Sequence, residues 1–120
     1  MRTIIAGSRN ITDFRVLLDA MSGNEITART TEVVSGTAPG VDTLGEMWAT
    51  STGTPIKRFP ALWDLYGRAA GKQRNLQMAV YADALIAIWD GRSPGTRHMI
   101  ETAERMKLKV FVYRTDLEHE

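Results

Sequence analysis

The side chains able to do chemistry in this 120-residue chain gather in a few short stretches. Gly7-Ser8-Arg9 offers a tight turn, a hydroxyl and a planar guanidinium fork, a donor set suited to phosphate. Ser35-Gly36-Thr37-Ala38-Pro39-Gly40-Val41-Asp42 combines glycines, which let backbone N–H groups approach a ligand, with a proline suited to a first helical turn. Asp90-Gly91-Arg92-Ser93-Pro94-Gly95-Thr96 repeats the device, a hydroxyl before Pro-Gly at a helix start. Free N–H groups at a helix start favour an anion. Either turn alone also fits an ordinary strand-to-helix connection; together they point to phosphate, expected at Gly40 or Gly95.

A third stretch, Pro60 to Gly67, holds Trp63 and Tyr66 and precedes Arg68-Ala69-Ala70-Gly71-Lys72-Gln73-Arg74-Asn75. Long loops inside small domains are functional or disordered, and these aromatics argue against disorder. They either stack on a base or pack across a sheet edge. Arg9, Arg68, Lys72, Arg74, Arg92 and Arg97 all fall in or beside these loops, so a chain of net charge +1 can still carry a positive local field. Arg9 and Arg74 are expected to be the main ligand-facing cations. In the competing arrangement Arg74 pairs with Asp64 or Asp90 and braces the loops. Asp42, Asp64 and Asp90 are the candidate catalytic carboxylates; they could equally accept ribose hydroxyls, cap helices or balance the arginines.

With no cysteine, thiol catalysis, disulfides and thiolate metal sites are excluded. His98 and His119 are too far apart for a helical metal pair, and no metal or cofactor is expected. No apolar run approaches the roughly 20 residues needed to cross a bilayer. The N-terminus has no basic-then-apolar leader pattern, so a cytoplasmic protein without a membrane partner is expected.

Five apolar runs must position these loops: Thr3–Ala6, Glu32–Ser35, Ile56–Phe59, Ala84–Trp89 and Val110–Tyr113. Between them lie segments of helical period. Phe14, Leu17, Leu18 and Met21 mark the first; Val41, Leu44, Trp48 and Ala49 the second. Leu76, Ala79 and Val80 mark the third; Ile100, Ala103 and Met106 the fourth. Trp48 and Trp89 read as core. Alternation of this kind predicts an α/β, three-layer Rossmann-like domain with a five-stranded parallel sheet in order 3-2-1-4-5. A ligand then sits beyond the carboxyl ends of strands one and four, where the strand order reverses. The whole chain, 1–120, is expected to be one domain, with 113–120 a flexible tail.

Gly7-Ser8-Arg9, the Gly36–Asp42 loop, Ala61-Leu62-Trp63 with Gly67, Ala70-Gly71 with Arg74-Asn75, and Gly95-Thr96 occur in the order seen in the YspA-related SLOG family, which this chain resembles from Ile4 to Tyr113. The resemblance implies a Rossmann-like domain for nucleotides or nucleotide-derived ligands, often a homo-oligomer whose partner helps close the pocket. It extends distantly to the LOG phosphoribohydrolases and to DprA. One departure matters. LOG enzymes share a Pro-Gly-Gly-x-Gly-Thr-x-x-Glu signature, and Met99 stands three residues after Thr96 where the glutamate is required. Glu101, two residues further along a helix, points roughly 140° from Thr96 and does not replace it.

The leading expectation is therefore a domain that senses or sequesters a nucleotide-type ligand. Its binding residues would be Gly7, Ser8, Arg9, Gly36, Thr37, Gly40, Asp42, Trp63, Arg74, Asn75, Gly91, Gly95 and Thr96. The alternatives are a nucleotide N-glycosidase working through Asp42, Asp64 or Asp90, and a DprA-like single-strand DNA binder. The small net charge argues against the last and against nucleic acid as partner, since such binders need an extended basic groove.

Overall fold

Consecutive residues of the first strand bury opposite faces, and that alternation decides the layers. β1 (Arg2–Gly7) sends Ile5 into one core cluster and Ile4 and Ala6 into another. β2 (Glu32–Ser35) divides Val33 and Val34 in the same way, and β4 (Ala84–Trp89) divides Ala84, Ile86 and Ile88 from Leu85 and Ala87. Strands buried on both faces need helices on both sides. The computed structural model, which describes residues 1–117, shows them: one parallel sheet in the order β3-β2-β1-β4-β5, with β3 spanning Ile56–Arg58 and β5 Lys109–Arg114. Each fully buried Ile or Leu contributes about 1.5–3 kcal/mol.

α1 (Phe14–Met21), α2 (Glu25–Arg29) and α3 (Val41–Thr52) carry the cluster around Ile5; α5 (Ala70–Tyr81) and α6 (Pro94–Arg105) carry the cluster around Ile4. α2 is absent from the sequence reading. It is a single short turn set by Asn24, whose side chain accepts the Ile26 N–H at 2.8 Å. The stretch read as a long loop folds into α4 (Trp63–Tyr66) and a 3₁₀ turn at Gly67–Ala69.

The face of α5 differs from expectation. Asn75, Met78 and Ala79 are buried, whereas Leu76 and Val80 stand 45% and 68% exposed. Trp48 and Trp89 are half-buried at the margins of the core. Three of the residues expected in the tail, Tyr113, Arg114 and Thr115, are held in or beside the sheet. Tyr113 and Arg114 complete β5, and the Thr115 N–H donates to the Trp89 carbonyl at 2.9 Å. His119 lies outside the described residues. No helix among the described residues is long and apolar enough to cross a membrane.

Candidate functional site

At the carboxyl ends of β1 and β4, where the chain switches from one side of the sheet to the other, lies a cavity of about 580 Å³. Its apolar wall is Ala6, Met78 and Met99; its polar wall comes from the loops after β1 and β4 and the first turns of α5 and α6. Four cations line it, Arg9, Arg68, Lys72 and Arg74, against two carboxylates, Asp42 and Asp90. Arg9, Arg68 and Lys72 have no ion pair among the described residues. Among the described residues the cavity wall therefore carries more cations than carboxylates.

The two Pro-Gly turns have different fates. At α6, Ser93 is the N-cap but makes no side-chain cap bond; its hydroxyl is turned toward Asp90 and donates to Oδ2 at 3.0 Å. Pro94 has no N–H, Gly95 faces open space, and Thr96 lines the cavity while only 5% exposed. That helix end opens onto the cavity.

At α3 the first helical N–H is taken, and the loop before it is closed on itself. The Val41 N–H donates to the Ser8 carbonyl at 3.4 Å, and the Ala38 N–H to Asp42 Oδ2 at 3.1 Å. Gly40, with φ of 82°, sits so close to the β1 loop that a Cβ there would lie 2.5 Å from the carbonyl oxygens of Ser8 and Arg9. Gly40 is thus packed against the protein's own backbone and lines neither this cavity nor the smaller one beside it.

The carboxylates also separate. Asp42, only 5% exposed, has its pKa pushed up to about 6, chiefly by burial, with the Ala38 N–H and the charge of Arg74 opposing. Asp90 accepts the Ser93 and Arg92 N–H groups at 2.8 and 2.9 Å, which hold its pKa down to about 2. It stays ionised at neutral pH and shapes the loop. Asp64 is exposed on α4 and outside the cavity wall.

Arg74 donates to the Gly36 carbonyl and, through Nε, to Asn75 Oδ1 at 3.1 Å, so neither Asp64 nor Asp90 is its partner. Burial lowers its pKa, against the pull of Asp42. Asn75 Nδ2 in turn reaches the Gly95 carbonyl at 3.4 Å and His98 Nδ1 at 3.1 Å, tying α5 to the open end of α6. An amide NH₂ only donates, so Nδ1 accepts and the neutral imidazole carries its proton on Nε2. Burial, then the charges of Lys72 and Arg105, keep His98 below its usual pKa and hence neutral at pH 7.

Among the residues singled out from sequence, Gly7, Ser8, Arg9, Asp42, Trp63, Arg74, Asn75, Asp90, Gly95 and Thr96 meet at this cavity. Ser8 is buried and braces the loops, its hydroxyl accepting the Asp90 N–H at 3.1 Å. A Cβ on Gly7 would meet the Ile88 carbonyl at 2.1 Å, so that position serves strand packing. Gly91 lies against Arg114 and Asp116 instead of the cavity. Gly36 and Thr37 line a smaller neighbouring cavity of about 260 Å³. Among the described residues no group of three acidic or histidine side chains is arranged to hold a metal ion.

A family model, YAcAr, described as the YspA, cpYpsA-related SLOG family, matches residues 1–66, more than half of the chain. The chain belongs to that family. This SLOG domain is also similar to the Gene 61 protein of Mycobacterium phage D29, 32% identical over 117 residues, with 91% of this chain and 93% of the relative covered. Among solved structures it is similar to DNA processing protein A (DprA) from Streptococcus pneumoniae, at 19% identity and a TM-score of 0.73. The likeness covers 92% of the SLOG domain but 49% of DprA, so this chain spans about half that protein's length. At that identity the likeness is one of fold.

His98 and Asn10 also line the cavity of the SLOG domain and escaped the sequence reading. The spacing of His98, three residues past Gly95 and so on the same side of a helix whose start was legible, is the signal that would have found it.

Proposed function

We propose that this SLOG domain binds a phosphorylated nucleotide at the carboxyl edge of its sheet, as a sensing or sequestering module, with a phosphate at the first turn of α6. The observation that carries this reading is the surplus of unpaired cations around a cavity onto which an uncapped helix end opens. Its volume of about 580 Å³ lies within the range of small-molecule sites. Trp63, 52% exposed at the wall, offers a ring face for a base. Family membership supports a nucleotide-type ligand. The DNA-processing role named for DprA supports nucleic acid less well here, because the cations converge on a pocket instead of tracking a groove.

Calorimetry against AMP, GMP, CMP and UMP tests the reading. Binding by at least one, weakened by salt, is expected; no binding by any overturns it. Tight, steeply salt-dependent binding of a short oligonucleotide in their place would favour the DNA reading.

One observation favours a hydrolytic second reading. Asp42, with a pKa near 6 on the cavity wall, suits a general acid for N-glycosidic cleavage. Chromatography of each nucleotide after incubation should then show free base, lost in Asp42→Asn. The exposed Leu62, Leu65 and Tyr66 around α4 support a homo-oligomer in which a second copy covers this side of the cavity. Light scattering at two protein concentrations checks that.

A further inference from the structure

Arg74, Asn75 and His98 form a chain of hydrogen bonds between α5 and α6, and the chemistry of its fixed members dictates the state of the histidine. A guanidinium Nε–H only donates, so the Asn75 atom 3.1 Å from Arg74 Nε is the amide oxygen. A carbonyl only accepts, so the Asn75 atom 3.4 Å from the Gly95 carbonyl is the amide nitrogen. Two independent partners thus give the amide one orientation. It turns the NH₂ toward His98 Nδ1 at 3.1 Å, and the imidazole can meet it only as an acceptor. Asn75 is buried, so a mismatch at this amide has little water to relieve it.

Protonation breaks the chain. With a proton on Nδ1, His98 sets an N–H against the Asn75 NH₂. Turning the amide over cures that contact and spoils two others: the NH₂ then faces the Arg74 Nε–H, and the oxygen faces the Gly95 carbonyl. Asn75 loses either His98 or both of its other partners, and in the second case Arg74 keeps only its bond to the Gly36 carbonyl. Lys72 on α5 and Arg105 on α6 also oppose the imidazolium, while Glu101 on α6 favours it. Across the cavity stand Arg9, Arg68 and Arg74, with Asp42 and Asp90 against them. A wall that already holds four cations gains little from a fifth, whereas it loses the aim of one it has.

We propose that His98 is a positioning residue of the anion site: its neutral Nδ1 holds the Asn75 amide, and through it the Arg74 guanidinium, in the binding arrangement, so that nucleotide binding weakens when His98 is protonated. This rests on the nucleotide-binding reading and adds its control by pH. A histidine that touched the anion directly would do the reverse, because its protonation adds an attractive charge.

NMR of isotope-labelled protein without nucleotide reads the chain first. In a His119→Gln protein, His98 is the one histidine left. Its ring should carry the proton on Nε2 and titrate below the ordinary value of about 6.5, with the Arg74 Nε–H resonance moving at the same midpoint. A proton on Nδ1 in the neutral ring, or an Arg74 resonance indifferent to the titration, overturns the proposal. Calorimetry with the tightest binder among AMP, GMP, CMP and UMP is the second readout. His98→Leu should weaken binding about tenfold at pH 7.5. His98→Asn, whose amide oxygen can accept in place of Nδ1 and does not titrate, should recover most of that loss. From pH 7.5 to about one unit below the ring's midpoint, wild-type affinity should fall at least about fivefold more than that of His98→Asn. Protonation of the phosphate and of Asp42 is common to both proteins and cancels. Parallel profiles, or a wild type that gains on His98→Asn as pH falls, overturn the proposal and leave nucleotide binding standing. If none of the four nucleotides binds, both fail together. The wild type set against His98→Asn decides the matter if His98→Leu does not fold.

Discussion

The starts of α3 and α6 read almost alike in sequence, each a Pro-Gly turn after a strand, yet one is closed and the other open. At α3 the backbone of the β1 loop packs against Gly40 and takes the Val41 N–H, and the carboxylate of Asp42 turns back onto the Ala38 N–H. At α6 the capping hydroxyl is turned aside to Asp90, and the first turn is left facing the cavity. A helix N-terminus is thus a binding site only when the rest of the chain leaves its donors free. The same four residues' worth of sequence can seal a fold or receive a ligand.

The sharpest way to break this contrast is at the two glycines. Gly40→Val forces a β-branched residue to a φ of 82° and into backbone oxygens 2.5 Å away. It should cost about 3 kcal/mol or more, a large part of a small domain's stability, read by urea denaturation. A loss under about 1 kcal/mol would mean that the β1 loop is not seated on α3 as described.

Asp42→Asn sharpens the comparison through pH. The folded-state pKa, pushed up to about 6 from an ordinary 3.8, means that the folded chain holds this proton more tightly than the unfolded chain does. The advantage of the protonated form is therefore full below about pH 4 and is lost as pH rises through about 6. Two units correspond to about 3 kcal/mol, so the variant should gain on the wild type by about 2–3 kcal/mol between pH 4 and 8. Parallel stability curves over that range would remove Asp42 as a buried charge.

Gly95→Leu addresses the open end. Nothing stands within 4 Å of a Cβ there, so the fold should survive or gain up to about 1 kcal/mol from the lost glycine. Nucleotide affinity by calorimetry should fall at least about tenfold, since the leucine would crowd the phosphate position. Unchanged affinity would place the phosphate elsewhere.

The arginines give the smallest effects and a discriminating pair. Arg9→Ala, at an exposed cation without an ion pair, should lower affinity about tenfold and leave the melting temperature unchanged or slightly raised. Arg74→Ala should lower both, because its bond to the Gly36 carbonyl ties α5 to the loop after β2 and its bond to Asn75 orients that amide, at about 1 kcal/mol each. A melting temperature lowered by Arg9→Ala but not by Arg74→Ala would reverse their assigned roles.

The fold was legible because each strand is a short apolar run with turn residues after it, and parallel connection leaves little choice of order. The third long helix was only half legible. Its buried face includes the polar Asn75 alongside Met78 and Ala79, so the true stripe is masked, and Leu76 and Val80, apolar but exposed, draw the eye to the wrong side. That the loops bearing these glycines and arginines gather at one edge of the sheet was readable. Their individual roles were not, because a glycine that admits backbone, as Gly7 and Gly40 do, has the same letter as one that leaves space for a ligand, as Gly95 does. Asn75 and His98 could be joined only once α5 and α6 were side by side.

The position of Trp63 gives the molecule an optical property. Its indole, half exposed, borders both cavities. Trp48 is packed against the core, and Trp89 lies with Arg97 and Arg114 over its ring and its Nε1–H bound to the Ser93 carbonyl at 3.1 Å. Of the three indoles, Trp63 is the one whose surroundings would change from water to solute on binding of the proposed nucleotide. Its emission should shift to shorter wavelength or be quenched as a ring stacks on it, while the other two supply a constant background. The unlabelled protein thus carries its own occupancy signal, and a Trp63→Phe chain would be the dark control.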